Sequence, residues 1–166
     1  MIFGMTTATY TFVHVLLSLI GIGSGFIVLY GLLTAKRLDG WTALFLATTV
    51  ATSVTAFGFP FDHLLPSHKV GIISLVLLGV AISARYVFHL SGAWSRVYAI
   101  SAVLALYLNV FVAVAQAFMK VPALKALAPT QKEPPFLIAQ LVVLTLFVVL
   151  TIFAAIKFRT ESVRTA

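Results

Sequence analysis

The sequence contains no cysteine, so disulfides, thiolate metal sites and cysteine nucleophiles are excluded. Charge is scarce as well: 9% of the residues are charged, against about 25% in a soluble domain. Such a chain has too few charges to cover a core with a water-exposed surface. A nucleotide-binding loop, an HExxH helix and a serine nucleophile elbow are missing too. Their absence argues against ordinary hydrolytic and phosphoryl-transfer enzymes.

Long apolar runs fill the chain instead, and 61% of its residues are hydrophobic. Five runs are each close to the length of about 20 residues that a helix needs to cross a bilayer. They extend from Tyr10 to Leu33, Trp41 to Phe59, Val70 to Tyr86, Val97 to Met119 and Phe136 to Ile156. The runs are continuous rather than alternating, which favours helices over a β-barrel. The sequence therefore predicts an all-α fold, a single domain over residues 1–166 that forms an integral membrane bundle of five transmembrane helices.

Prolines mark the ends of the predicted helices. Pro60 ends the second helix, because proline lacks an N–H and disfavours helical geometry in the residue before it. Ser67 is the predicted N-cap of the third helix. The segment from Val121 to Pro135 contains four prolines and predicts a structured outer loop or a short re-entrant piece. Pro134 and Pro135 then open the last helix.

The basic residues predict the orientation in the membrane. The net charge of +7 lies at helix ends, where it anchors helices in the bilayer, so no nucleic-acid partner is predicted. With the N-terminus outside, seven basic residues fall inside: Lys36, Arg37, Arg85, Arg96, Lys157, Arg159 and Arg164. Four fall outside: Lys69, Lys120, Lys125 and Lys132. This excess favours an outside N-terminus and an inside C-terminus, with the first run retained as a helix rather than removed as a signal peptide.

Polar side chains collect in the outer half of the predicted bundle. The candidate ligand-binding residues are His14, His68, Asn109, Gln116, Gln131, Glu133 and Gln140. An ionisable side chain inside a span is costly, so His14 is a functional candidate, with a neutral hydrogen-bonded structural histidine as the alternative. We predict that His14, Gln116 and Gln140 point into one cavity beneath the loop that carries Gln131 and Glu133.

Small and hydroxyl-bearing faces predict how the helices pack. Gly21 and Gly25 form a small-xxx-small pair, which is expected to lie against another helix. Thr48, Thr52 and Thr55 share a face of the second helix, and we expect them to bond back to carbonyls of their own helix.

These features favour non-enzymatic binding or passage of a small polar ligand or ion. One alternative is a redox role with a quinone or with haem b, held between His14 and His68. A metal site from Asp62, His63, His68 and Glu133 ranks below haem, and no metal is predicted. The remaining alternative is a structural or assembly subunit, with a second copy or a membrane complex as the partner.

Three stretches carry a resemblance to known sequences: Pro66 to Leu75, Tyr107 to Phe111 and Leu127 to Phe136. They resemble stretches of small, uncharacterised bacterial inner-membrane proteins, and the resemblance covers most of the chain. It implies a bacterial inner membrane, with the outer side facing the periplasm. It implies no activity, cofactor or site residue.

Overall fold

A computed structural model describes the backbone of residues 1–164 and the side chains of residues 1–159. Its α-helices are α1 (Thr7–Leu33), α2 (Asp39–Ala56), α3 (Pro66–Ile82), α4 (Trp94–Lys120), α5 (Pro122–Leu127) and α6 (Pro134–Arg164). A π-helical turn, Ser83–Val87, continues α3. Within these residues every named element is helical, which confirms the predicted class. The Arg164 side chain and Ala166 lie outside the described part.

Local chemistry explains where the helices begin. Thr6 caps α1 by accepting a hydrogen bond from the Thr9 N–H at 3.1 Å. The prediction that Ser67 caps α3 is wrong, because the helix already begins at Pro66. The fixed φ angle of proline suits a first helical position, and its missing N–H is not needed there. Prolines also open α5 and α6, and α5 is the short helix of the proline-rich loop.

Within the described residues, four helices are long and apolar enough to cross a membrane. They cover Thr7–Leu33, Pro66–Val87, Trp94–Lys120 and Pro134–Arg159. The predicted fifth span corresponds to α2, which has 18 residues and begins at Asp39. Its six hydroxyl side chains, five of them threonines, make it less apolar than the other four. The membrane-helix prediction is therefore confirmed for four of the five segments.

Although it is more polar, α2 runs antiparallel to α1 along its whole length. The contacts follow one another as Tyr10–Thr55, Gly21–Thr49, Gly25–Phe45 and Gly31–Leu38. On its other side α2 runs antiparallel to α3, through a Ser53–Ser74 hydrogen bond of 3.1 Å. Thus α2 lies between α1 and α3, at the same depth as both.

Helix α4 is the centre of the bundle, since it contacts α1, α3, α5 and α6. Its side toward the other helices is rich in small residues, including the fully buried Ala99 and Ala105. Lipid tails are as apolar as leucine, so close packing of such small faces holds membrane helices together. Gly21 and Gly25 of α1 lie against α2 and α4, which confirms their predicted packing role.

The two ends of the bundle differ in composition. All six prolines lie at the end formed by the start of α1, α3 and α6 and the end of α2 and α4, which we call the proline end. Every arginine with a described side chain lies at the other end, which we call the arginine end: Arg37, Arg85, Arg96 and Arg159. The predicted outer residues lie at the proline end, and the predicted inner cations lie at the arginine end.

Candidate functional site

His14 is held at the proline end by α2. Its Nδ1 lies 2.8 Å from Thr55 Oγ1, and its ring meets Phe59 edge-on with a centroid distance of 5.3 Å. Thr55 also donates to the Ala51 carbonyl of its own helix, as predicted for this face. The imidazole therefore has a hydrogen-bond partner inside the bundle, which satisfies a polar group within a membrane span.

His68 is enclosed at the start of α3 and is 2% exposed. Its Nδ1 accepts a hydrogen bond from the Leu65 N–H at 3.1 Å, so the side chain helps to cap its own helix. The ring packs on Phe57 and Phe61, with a centroid distance of 4.1 Å to Phe61. Aromatic packing and capping together fix the orientation of this imidazole.

The end of α2 separates the two histidines that a haem would need. Phe59 contacts His14 and Phe57 contacts His68, so a ring bound by both imidazoles would have to displace these two side chains, which follow α2. The arrangement of the side chains does not fit a haem at this place. The four residues of the alternative metal site do not come together, because no three metal-binding side chains form a group among the described residues. Asp62 and His63 are instead exposed on the link between α2 and α3.

The amide side chains tie α4 to its neighbours. Gln131 Nε2 donates to the Ala115 carbonyl at 2.7 Å, and Gln140 Nε2 donates to the Phe111 carbonyl at 3.1 Å. Both bonds fasten the loop and the start of α6 to α4. Gln116, in contrast, is exposed on the surface of α4.

Asn109 lies deeper, where α1, α2 and α4 meet beside Gly21. Gln116 apart, the candidate residues lie at separate contacts: His14 between α1 and α2, His68 beside α2, and the other amides and Glu133 around α4 and the loop. A single shared cavity stays a prediction.

Glu133 organises the loop before α6. Its carboxylate accepts hydrogen bonds from the Thr130 hydroxyl at 2.8 Å, and from the N–H groups of Thr130 and Lys132. These bonds favour the charged form, so the Thr130 hydroxyl, followed by the backbone donors, lowers the pKa of Glu133. In this position Glu133 acts as a loop cap, which is a structural role.

A charged residue is buried at the opposite, arginine end. Arg85 lies in the π-helical turn and is 8% exposed. It forms an ion pair with Asp39, the first residue of α2, whose side chain is exposed. Its guanidinium lies 5.7 Å from the ring centre of Tyr86 and 5.3 Å from that of Tyr98, both within range of a cation–π interaction.

The π-helical turn gives this region its shape. The Phe88 N–H donates to the Ser83 carbonyl at 3.0 Å, five residues back, so the turn is wider than an α-helical one. His89 and Leu90 follow with φ angles of 49° and 58°, a left-handed conformation that ends the helix. Such wide turns occur often at functional sites. Here the turn carries Arg85 and is followed at once by His89.

A cleft of about 220 Å³ opens beside Arg85. It is lined by Arg37, Asp39, Arg85, Tyr86, His89 and Leu90. Two arginines and a histidine outnumber one carboxylate in this lining, so the cleft is suited to an anion. Arginine also presents several N–H donors in a planar fork that matches the geometry of phosphate and carboxylate.

The sequence alone placed Arg85 among the inner cations and did not combine it with Asp39 or His89. One signal was available, because Arg85 is a cation within the apolar run from Val70 to Tyr86. An ionisable residue within a span is by default a functional candidate. The partner of Arg85 could not be predicted, because Asp39 lies 46 residues away in the chain.

In the part of the chain that the structure describes, fold and site define a helical protein with four candidate membrane spans and a cationic cleft at one end. No protein-family model, curated protein or solved structure matches this chain.

Proposed function

We propose that this protein is a membrane protein of five spans that binds a small phosphate-bearing anion in the cleft at its arginine end. The observation that carries the proposal is Arg85, a buried guanidinium that faces a cleft lined by Arg37 and His89. The function is binding and not catalysis, since the cleft brings together groups that hold an anion.

The ion pair with Asp39 leaves part of the guanidinium to a ligand. Asp39 contacts Nη2 of Arg85, while the guanidinium has five N–H donors in all. Arg37 and His89 are exposed at the rim and supply further donors. An anion there exchanges water for charge-assisted hydrogen bonds, each worth about 1.5–3 kcal/mol. Asp39 repels the same anion, so the carboxylate tunes the affinity downward.

Binding is better supported than passage. The row of polar side chains on α2 is interrupted between Thr42 and Thr48. In this gap Phe45 is 1% exposed and Leu46 is 3% exposed. The five residues between Thr42 and Thr48 are all apolar, and they separate the cleft from the polar groups at the proline end by roughly 9 Å along the helix. Over that distance α2 offers a small polar ligand no polar side chain.

The antiparallel packing of α2 along α1 supports five spans. Because α1 is long enough to cross the bilayer, a helix that follows it from Leu38 to Thr55 occupies the same depth. The hydroxyl groups of α2 lower its hydropathy but bond within the bundle, as those of Thr48 and Thr52 do to carbonyls of α2. Five spans with the arginine end in the cytoplasm agree with the excess of basic residues there. In the bacterial inner membrane that the resemblance implies, the proline end faces the periplasm.

Calorimetric titration of the purified protein tests the proposed ligand. We expect inorganic phosphate or glycerol phosphate to bind, and the variants Arg37→Gln and His89→Asn each to lower the affinity about tenfold. Asp39→Asn should raise the affinity, because it removes the competing carboxylate. Lys125→Gln, which removes an exposed cation at the proline end, serves as the matched control and should change nothing.

A second titration distinguishes a lipid headgroup from a water-soluble phosphate as the ligand. It uses nanodiscs of phosphatidylcholine with and without phosphatidylglycerol. If phosphatidylglycerol lowers the binding of free phosphate, and if Arg37→Gln weakens this competition, the ligand is a lipid headgroup. Free phosphate that binds equally in both membranes identifies a water-soluble ligand. If neither binds, or if Lys125→Gln weakens binding as much as Arg37→Gln does, the ion pair of Arg85 is only a structural clamp.

A further inference from the structure

A second concave surface lies between α4 and α6, on the side of the bundle that faces the bilayer. It is a groove of about 360 Å³ lined by Arg96, Ile100, Thr151, Ile152, Ala155 and Ile156. Thr151 donates its hydroxyl to the Phe147 carbonyl at 2.6 Å, so this side chain adds a satisfied polar group to the lining. Below Arg96 the groove is therefore apolar.

The groove runs along the membrane normal. Helices α4 and α6 are antiparallel, with Tyr98 beside Phe158 at the arginine end and Tyr107 beside Phe147 further in. Ile156 consequently lies near the level of Ile100, and Thr151 lies about 7 Å deeper, five residues along the helix. The apolar floor thus extends from the arginine end toward the middle of the bilayer.

Cations stand at the mouth of the groove. Arg96 is exposed, and its side chain makes no ion pair or hydrogen bond with any described residue. Arg159 is also exposed and lies one turn beyond Ala155 on the same face of α6. Trp94, two residues before Arg96, is the first residue of α4, and indole rings favour the headgroup level of a bilayer.

We propose that this groove binds one anionic phospholipid, with its phosphate on Arg96 and an acyl chain along Ile100, Ala155 and Thr151. The order of the lining matches the order of the lipid, a charged head followed by a hydrocarbon chain. Basic pockets between membrane helices on the cytoplasmic side are a known mode of headgroup recognition. This site is independent of the proposed anion cleft, since Arg96 and Ile100 are not among the residues that line the cleft.

Native mass spectrometry of the full chain, with dioleoyl phosphatidylglycerol or dioleoyl phosphatidylethanolamine added to the detergent, tests the site. We expect one phosphatidylglycerol to be retained at least tenfold better than phosphatidylethanolamine. Arg96→Gln should remove most of this preference. Lys157→Gln is the matched control, because Lys157 is an exposed cation on α6 that does not line the groove.

Filling the groove gives a second, independent test. Ala155→Leu and Thr151→Leu place a larger side chain in the path of the acyl chain, so both should reduce retention of phosphatidylglycerol several-fold. Two variants are used because one of them could fail to fold, and lipid-free melting in detergent identifies a folded one. The proposal is overturned if Arg96→Gln and Lys157→Gln weaken retention equally, or if a folded groove-filling variant retains the lipid like the parent chain.

Discussion

At the residue scale, Gly25 shows how one missing side chain sets the distance between helices. It lies where α1 meets α2 and α4, and a Cβ atom there would stand 2.6 Å from Leu106 and 3.0 Å from the ring of Phe45. Gly23, two residues earlier, is exposed and has no atom within 4 Å of the same position. The two glycines share one helix but occupy opposite environments.

We expect Gly25→Leu to lower the melting temperature in detergent, because overpacking a close helix contact costs about 1–3 kcal/mol. Gly23→Leu is the matched control and should leave the melting temperature unchanged, because its side chain extends into lipid or detergent. Thermal melting followed by circular dichroism measures both. Equal melting of the two variants would show that Gly25 also faces lipid.

At the element scale, the segment before α6 shows how a loop fixes the start of a helix. The Glu133 carboxylate accepts hydrogen bonds from the Thr130 hydroxyl and from two backbone N–H groups. Gln131 adopts a φ angle of 59°, and its side chain donates a hydrogen bond to α4. The helix then begins at Pro134. The loop is ordered by these contacts, and the charged carboxylate is at their centre.

Because the pKa of Glu133 is lowered in the folded protein, its contribution to stability has a defined pH dependence. The contribution is fully present above the ordinary value of 4.5 and is lost as the pH falls through the lowered folded-state value. We expect Thr130→Val to raise the pKa of Glu133, as measured by carboxyl ¹³C chemical shifts. Thr145→Val, on the exposed face of α6, is the control and should leave the pKa of Glu133 unchanged. An unshifted titration in Thr130→Val would assign the lowered pKa to the backbone donors alone.

At the scale of the whole molecule, the number of spans decides which loops share a side of the membrane. Five spans place Arg37 and Ser91 on one side and Asp62 and Lys125 on the other. If α2 lay outside the membrane, Arg37 and Asp62 would be on the same side. The exposed positions and the absence of native cysteine make this a direct measurement.

We expect single cysteines at Asp62 and Lys125 to react with a membrane-impermeant maleimide in intact cells, and cysteines at Arg37 and Ser91 to react only after lysis. A reporter that is active only in the periplasm should likewise be inactive when it is fused after Ala166. Equal reactivity of Arg37→Cys and Asp62→Cys in intact cells, both labelled or both protected, would show four spans. The reverse pattern at all four positions would invert the proposed orientation.

Much of the architecture follows from sequence alone, for local physical reasons. A continuous apolar run must satisfy its own backbone in lipid, so it predicts a helix wherever it lies in the chain. Proline acts on its own residue and the one before it, and Pro134 opens α6 as predicted, whereas α2 ends at Ala56, too early for Pro60 to be the cause. The close contact of Gly21 and Gly25 was predictable for the same reason, since small residues at helical spacing form one face. The wide turn at Ser83–Val87 was not, because it depends on how the end of α3 meets its neighbours.

The tertiary structure alone decided which polar side chains meet. His14 finds Thr55 across 41 residues, and Arg85 finds Asp39 across 46. Such pairs depend on how each helix is rotated and how deep it lies within the bundle. The apolar pattern that predicts a helix specifies neither its rotation nor its depth. The sequence placed polar groups at the proline end and predicted one shared cavity there. The packing of α2 between α1 and α3 set the separate contacts of His14 and His68, and a buried arginine lies beside a cleft at the opposite end.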